Sequence, residues 1–223
     1  MTHLDTWNQL QANGLKAYRE IPEASCALAS RRDTKQFKRF IGRQRGLTLD
    51  IGCGIKVPGY LDKHNLKNTA GIDPLPAAVD CLPMVRFQGR GEDLPFLEGF
   101  FNLVILAGTI DHVLDPAKVL AEARRVVSPN GRIVVQIGIP GSQPPQGIIG
   151  YLRGVLCAFV PPDGLPDRVQ KCISTMPVPA GCPDPFHFKY YTEAEIEQLF
   201  EVAQLRIARR KRLPGSTFYE LKK

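Results

Sequence analysis

The chain has 223 residues, 43% of them hydrophobic, which supplies one sizeable core and too little length for two full domains. No stretch reaches the roughly 18 uninterrupted apolar residues that a membrane span needs. The opening MTHLDTWNQLQANG lacks the basic-then-apolar order of a secretory signal, so the expected location is cytoplasmic. The net charge of +7 is concentrated at two places: residues 31–45 and 206–223 each hold seven basic residues and one acidic, leaving −5 for the remainder. A polyanionic partner, nucleic acid or anionic lipid, would meet those ends and not the body, whereas the plain alternative is a pair of solvated basic faces. The six cysteines are scattered without a C-x-x-C pair, which points to reduced, inert thiols and away from a thiolate metal site.

Residues 1–45 read as a helical lead-in, with Phe37, Phe40 and Ile41 at i, i+3, i+4 on an otherwise basic helix. LTLDIG (47–52), NTAGID (68–73), MVRFQG (84–89), FNLVIL (101–106) and RIVVQI (132–137) then read as successive parallel strands. Between the last two lies a helix capped by Asp115, with Pro116 in its first turn and Val119, Leu120, Ala123, Val126 and Val127 on one apolar face; Pro129-Asn130-Gly131 is expected to end it. Residues 139–186 hold ten of the nineteen prolines, which excludes a regular strand-helix unit. This stretch is expected to be an insert at the carboxyl edge of the sheet, a substrate lid, and its apolar run 148–160 could instead rest on a membrane surface. Thr192 and Glu195 predict a capping box on a helix that buries Ile196, Leu199, Phe200 and Ala203. Strands at about 204–212 and 216–221 finish the chain. Residues 46–223 thus predict a single α/β domain: a doubly wound, mostly parallel sheet of seven strands with an antiparallel end pair and helices on both faces.

Asp50-Ile51-Gly52-Cys53-Gly54 follows the first strand, where glycines let the backbone approach a ligand closely, and enlarging Gly52 or Gly54 is expected to fill the ligand's space. Asp73 ends the next strand, where a carboxylate can accept both hydroxyls of a ribose. A dinucleotide fingerprint needs a third glycine at the position of Val57, so a pyrophosphate is poorly supported. A cofactor with a ribose and no phosphate fits, and S-adenosyl-L-methionine is one.

LDIGCG, GIDP, GEDLPF and FNLVILAGTIDHVLDPAKVLAEARRVVSPNGRIVV, in that order over residues 47–138, resemble the class I S-adenosylmethionine-dependent methyltransferases of the small-molecule, methyltransferase type 11-like branch, with their Rossmann-like fold. The resemblance implies that Asp50, Gly52, Cys53 and Gly54 surround the methionine part, with Asp50 reaching its ammonium partly through water. It implies that Asp73 holds the ribose, Pro74 packs near the adenine, Gly91 and Glu92 flank the adenine edge, and the backbone of Leu106 and Ala107 receives the ammonium. Arg90 stands where the family often has Asp and cannot accept a bond from the adenine amino group, which leaves Glu92, Asp93 or backbone groups for that contact. Asn102 is a second departure.

Methyl transfer needs alignment, plus a base when the nucleophile is a hydroxyl. His112 and His187 are the candidates, each with a structural role as the plain alternative. No metal set is recognised. The expected activity is transfer of a methyl group to an O or N of a small polar metabolite, such as a sugar or glycan precursor. The alternatives are an RNA or protein methyltransferase using the basic ends, or a non-catalytic relative of the fold.

Overall fold

The computed structural model describes residues 2–20, 29, 32–77, 81–138, 188–213 and 215–223; the expected lid at 139–186 and His187 lie outside them. One seven-stranded sheet organises the chain: β1 (Thr48–Ile51), β2 (Thr69–Asp73), β3 (Val85–Gln88), β4 (Phe101–Ala107), β5 (Val127–Gly138), β6 (Arg206–Leu213) and β7 (Ser216–Lys222), in the spatial order β3-β2-β1-β4-β5-β7-β6. β1 to β5 run parallel, while β7 is antiparallel to both β5 and β6. This is the doubly wound α/β sheet with an antiparallel end pair that the strand pattern predicts. The central strands β1 and β4 are buried along nearly their whole length because helices or loops cover both faces, which explains their near-continuous apolar runs.

Helix α2 (Arg32–Ile41) covers one face, inserting Phe37, Phe40 and Ile41 into a core that includes Tyr60, Met84, Leu103, Ile105 and Phe218. On the other face lie α3 (Pro116–Val126) and α4 (Glu193–Val202), which bury Val119, Leu120, Ala123, Ile196 and Phe200 against β1, β4 and β5. Both helix starts are as the sequence reads them. Asp115 Oδ1 accepts from Lys118 N at 3.0 Å, and Thr192 exchanges bonds with Glu195, receiving its amide at 3.2 Å and giving its own amide to Oε2 at 2.8 Å.

The end of α3 differs from expectation. The helix stops at Val126, and Val127 already pairs with Phe101 as the first residue of β5. Pro129-Asn130-Gly131 therefore lies inside the strand span, where the register jumps from Phe101↔Val127 to Leu103↔Arg132. A proline lacks the amide that a regular ladder requires, so it sits in the excursion where the ladder is broken. β6 begins at Arg206 and not 204, because Gln204 takes a φ of 55° in the turn leaving α4.

Helix α1 (His3–Glu20) precedes α2. Among the described residues no helix is long and apolar enough to cross a membrane.

Candidate active site

Strand order runs outward from β1 and β4 in opposite directions, so the loops leaving these two strands diverge and open a crevice at their carboxyl ends. A cavity of about 320 Å³ fills it, within the size range of ligand pockets. Of the residues the sequence singles out, Gly52, Cys53, Gly54, Asp73, Pro74, Gly91, Glu92, Ala107 and His112 line this cavity.

The loop after β1 holds Gly52 at φ +75° and Gly54 at φ +73°, conformations that L side chains rarely adopt. Their reasons differ. A Cβ on Gly52 would lie 2.5 Å from Thr109 Oγ1, so the protein's own packing already forbids a side chain there before any ligand is bound. Thr109 is fixed in turn by donating to the Ile51 carbonyl at 2.9 Å. At Gly54 a Cβ would meet nothing within 4 Å, leaving its backbone open to the cavity that it lines. Gly91 is tight like Gly52, since a Cβ there would come 2.8 Å from Ile51 Cγ2.

Asp73 is buried at the end of β2. Its Oδ2 accepts from Gly54 N at 2.8 Å and its Oδ1 from Leu75 N at 2.9 Å, and each oxygen keeps a further lone pair. The carboxylate can thus brace the glycine loop and still receive two hydroxyls. Burial raises its pKa, against the pull of the two amides and of Arg86, whose Nη2 lies 3.8 Å from Oδ1. Arg86 of β3 also donates from Nε to the Gly54 carbonyl at 3.0 Å and from its other nitrogen to the Leu75 carbonyl, stitching both sides of the loop together.

Three expected residues stand away from the cavity. Asp50 is fully buried, and its two oxygens share the Tyr60 hydroxyl at 3.0 and 2.9 Å. Tyr60, which holds Asp50, is itself on the cavity wall, whereas Asp50 lies behind it. Burial pushes the Asp50 carboxyl well above its ordinary range, the Tyr60 bond lowers it, and the Asp73 charge raises it. Leu106 lies in the core facing α3, and Ala107 is the residue of that pair that reaches the cavity. Asp93 is exposed, its amide donating to the Arg90 carbonyl at 3.3 Å. Glu92 lines the cavity, yet its Oε1 accepts from the amides of Leu114 and Asp115 at 3.0 and 3.3 Å. Arg90 lines the cavity beside it. The Cys53 thiol is pushed up by burial and by Asp50 and Asp73, which makes it an unreactive wall.

Sequence reading missed the fourth wall. Trp7, Leu10, Gln11 and Gly14 of α1 line the cavity, and two of them bond to it: Trp7 Nε1 and Gln11 Nε2 donate to the His112 carbonyl at 2.7 and 3.3 Å. The signal was present, since Trp7, Leu10 and Gly14 stand at i, i+3, i+7 on an otherwise polar helix. His112 thus faces the cavity under α1, its Nε2 3.8 Å from Oδ1 of the buried Asp111. The Asp111 carbonyl accepts from Phe188 N at 2.8 Å, which fixes where the chain returns after residue 187.

Comparison with known proteins agrees with this geometry. Residues 49–135 match the family described as "Methyltransferase domain". An uncharacterized protein of Mycobacterium tuberculosis is 30% identical over 161 residues, 68% of this chain and 46% of its own. Norajmaline N-methyltransferase of Rauvolfia serpentina is 33% identical over 102 residues, 39% of this chain and 34% of its own. The chain therefore spans half or less of the length of these curated relatives. The structure of 1,6-didemethyltoxoflavin-N1-methyltransferase of Burkholderia thailandensis, with 1,6-didemethyltoxoflavin and S-adenosylhomocysteine bound, superimposes with a TM-score of 0.61 at 13% identity, covering 100% of this chain and 91% of that one. The matched segment contains the glycine loop, Asp73, Gly91, Glu92, Ala107 and His112, the residues just placed around one crevice. Residues 49–135 accordingly match a methyltransferase domain, and the sheet and helices around them share the fold of this methyltransferase structure.

Proposed function

We propose that the protein transfers the methyl group of S-adenosyl-L-methionine to an oxygen or nitrogen of a small polar metabolite, with a sugar or glycan precursor as the first class to test. The observation that carries this reading is the cover over the crevice: α1 lies across it through Trp7 and Gln11, and the cavity beneath has a volume of about 320 Å³. A space of that size fits a nucleoside-type cofactor and a small acceptor's reactive end. Two of the similar proteins carry the names of N-methyltransferases of small molecules.

The cofactor supplies a methyl group already activated on a sulfonium, so the protein's task is holding and aligning. In this reading Asp73 receives the ribose hydroxyls on its remaining lone pairs, and the open backbone of Gly54 borders the methionine part. Pro74 and Gly91 bracket the adenine, with Glu92 and Arg90 at its edge. Ala107 closes the floor. His112 takes the acceptor's proton, with His187 as the second candidate.

Calorimetry with S-adenosylhomocysteine tests the cofactor half, and micromolar binding is expected. A methylation screen of metabolite pools tests the acceptor half. His112→Gln is expected to lose about 100-fold or more in turnover with little change in cofactor affinity. Absence of binding by the wild-type protein removes the whole reading; full turnover in the variant removes His112 alone.

A further inference from the structure

The two basic segments, far apart in sequence, meet on one corner of the fold. Lys211 Nζ of β6 donates to Gln36 Oε1 of α2 at 3.0 Å, and the Arg209 guanidinium lies 4.1 Å over the Phe40 ring while bonding the Phe40 carbonyl at 2.5 Å. Arg132 of β5 donates to the Arg43 carbonyl at 3.3 Å and extends the corner below α2.

β6 alternates, and its two faces are charged differently. Arg210 and Arg212 point to α4, where Glu197 and Glu193 each pair one arginine. Arg209 points to the α2 side and shares the single carboxylate of Glu220 with Arg132. Arg32, Lys35, Arg39 and Arg43 are exposed along α2 and the turn after it, with no carboxylate partner among the described residues. Asp33, in the first turn of α2, is the only other acidic residue of this corner among those residues. One side of the edge strand is neutralised and the other is left strongly positive.

We infer that this α2/β6 corner is a binding surface for the phosphate backbone of a nucleic-acid duplex, separate from the cofactor cavity. Three strands, β4, β5 and β7, lie between β1 and β6, and α2 meets the cavity wall with its buried face, where the Phe37 ring packs on Tyr60. The exposed basic residues therefore lie on the opposite side of the helix from the crevice and do not depend on which acceptor is methylated. The chemistry of the corner selects this partner. Stable attachment to a membrane surface combines basic residues with inserted apolar ones, and here the large apolar side chains of α2 are all buried while β6 exposes none beyond half-buried Ile207 and Leu213. Single-stranded nucleic acid is held by exposed aromatic platforms, and the ring nearest the corner, Phe40, is covered by Arg209. What remains is a row of guanidinium and ammonium groups along a helix roughly 15 Å long, suited to successive phosphates and blind to sequence.

The test is fluorescence anisotropy with a labelled mixed-sequence RNA hairpin at several salt concentrations, beside co-sedimentation with phosphatidylserine vesicles. The wild-type protein should bind the hairpin with a log-log salt slope of about −4, the value for four to five phosphate contacts. Arg39→Glu with Arg43→Glu should lower affinity at least tenfold and flatten the slope. Lys63→Glu with Lys118→Glu, the same change in charge at exposed sites elsewhere, should stay within about twofold. S-adenosylhomocysteine binding should be unchanged in both, which separates this inference from the function proposed for the cavity and shows that the variants are folded. No hairpin binding, equal loss in the two variants, or binding to vesicles and not to RNA would each overturn it.

Discussion

Asp50 in β1 and Asp73 at the end of the adjacent β2 are both buried, yet only Asp73 borders the cavity. Asp50 meets a tyrosine hydroxyl and no cation, so burial dominates and raises its pKa well above the ordinary 3.8. A carboxyl raised in this way holds its proton more tightly when folded. Its favourable share in stability is complete below about 3.8 and is lost as pH climbs through the folded pKa. Asp50→Asn removes that titration, so the melting temperature of the variant minus that of the wild type should grow with pH above about 4 and then level off. A difference that is flat or shrinks with pH counts against a buried, raised Asp50. Asp73→Ala is expected to weaken S-adenosylhomocysteine binding by about 2–3 kcal/mol in calorimetry, because it strips the proposed ribose acceptor and also frees the amides of Gly54 and Leu75. The glycines separate by the same logic. Gly54→Ala meets open space and should cost about 1–2 kcal/mol for its positive φ alone, whereas Gly52→Ala adds a collision with Thr109 and should cost more, as urea melts would show.

The α1 helix does not belong to the sheet, and its hold on the cavity is an indole and an amide donating to one carbonyl. Trp7→Ala should lower cofactor affinity about tenfold through loss of the roof, while Trp7→Phe keeps most of the ring surface and should lose less. Calorimetry on both variants checks the order, and equal affinity in all three proteins would detach α1 from the site. This is also where the sequence was least legible. Strands β1 to β5 were readable because each is a short apolar run closed by glycine, aspartate or a turn, and the starts of α3 and α4 because Asp115 and Thr192 are local caps. The end of α3 was not, since Val127 continues the helical apolar stripe and only pairing with Phe101 makes it a strand. Asp73 and Gly54 were placed from spacing alone. The burial of Asp50 under Tyr60, the brace of Arg86 and the roof of Trp7 each depend on contacts 10, 32 and 105 residues apart, which no local pattern encodes.

Across the whole molecule the cavity lies between the glycine loop and Asp73 on the β1-β2-β3 side, Ala107 to Val113 on the β4 side, and α1 above, which bonds to the β4 side through Trp7 and Gln11. The far edge of the sheet is different. β7 pairs along nearly its whole length with β6 on one side and with Ile133–Gly138 of β5 on the other, α3 and α4 pack against each other, and glutamates of α4 tie down Arg210 and Arg212 of β6. A ligand that fills the cavity therefore adds contacts to α1 and the glycine loop and changes nothing at the far edge. Hydrogen exchange should show this as a gradient. Saturating S-adenosylhomocysteine should slow the amides of residues 5–16 and 52–57 by about tenfold or more, since local opening there must now release the ligand, and leave β6, β7 and α4 within about twofold. Uniform slowing across the sheet would mean that these amides exchange only through global unfolding, and no slowing in α1 would mean that the helix does not close over the cofactor. The first outcome can be checked independently, because a ligand at 100 times its dissociation constant stabilises the fold by about 2.7 kcal/mol and should raise the melting temperature by roughly 5–10 °C in a protein of this size.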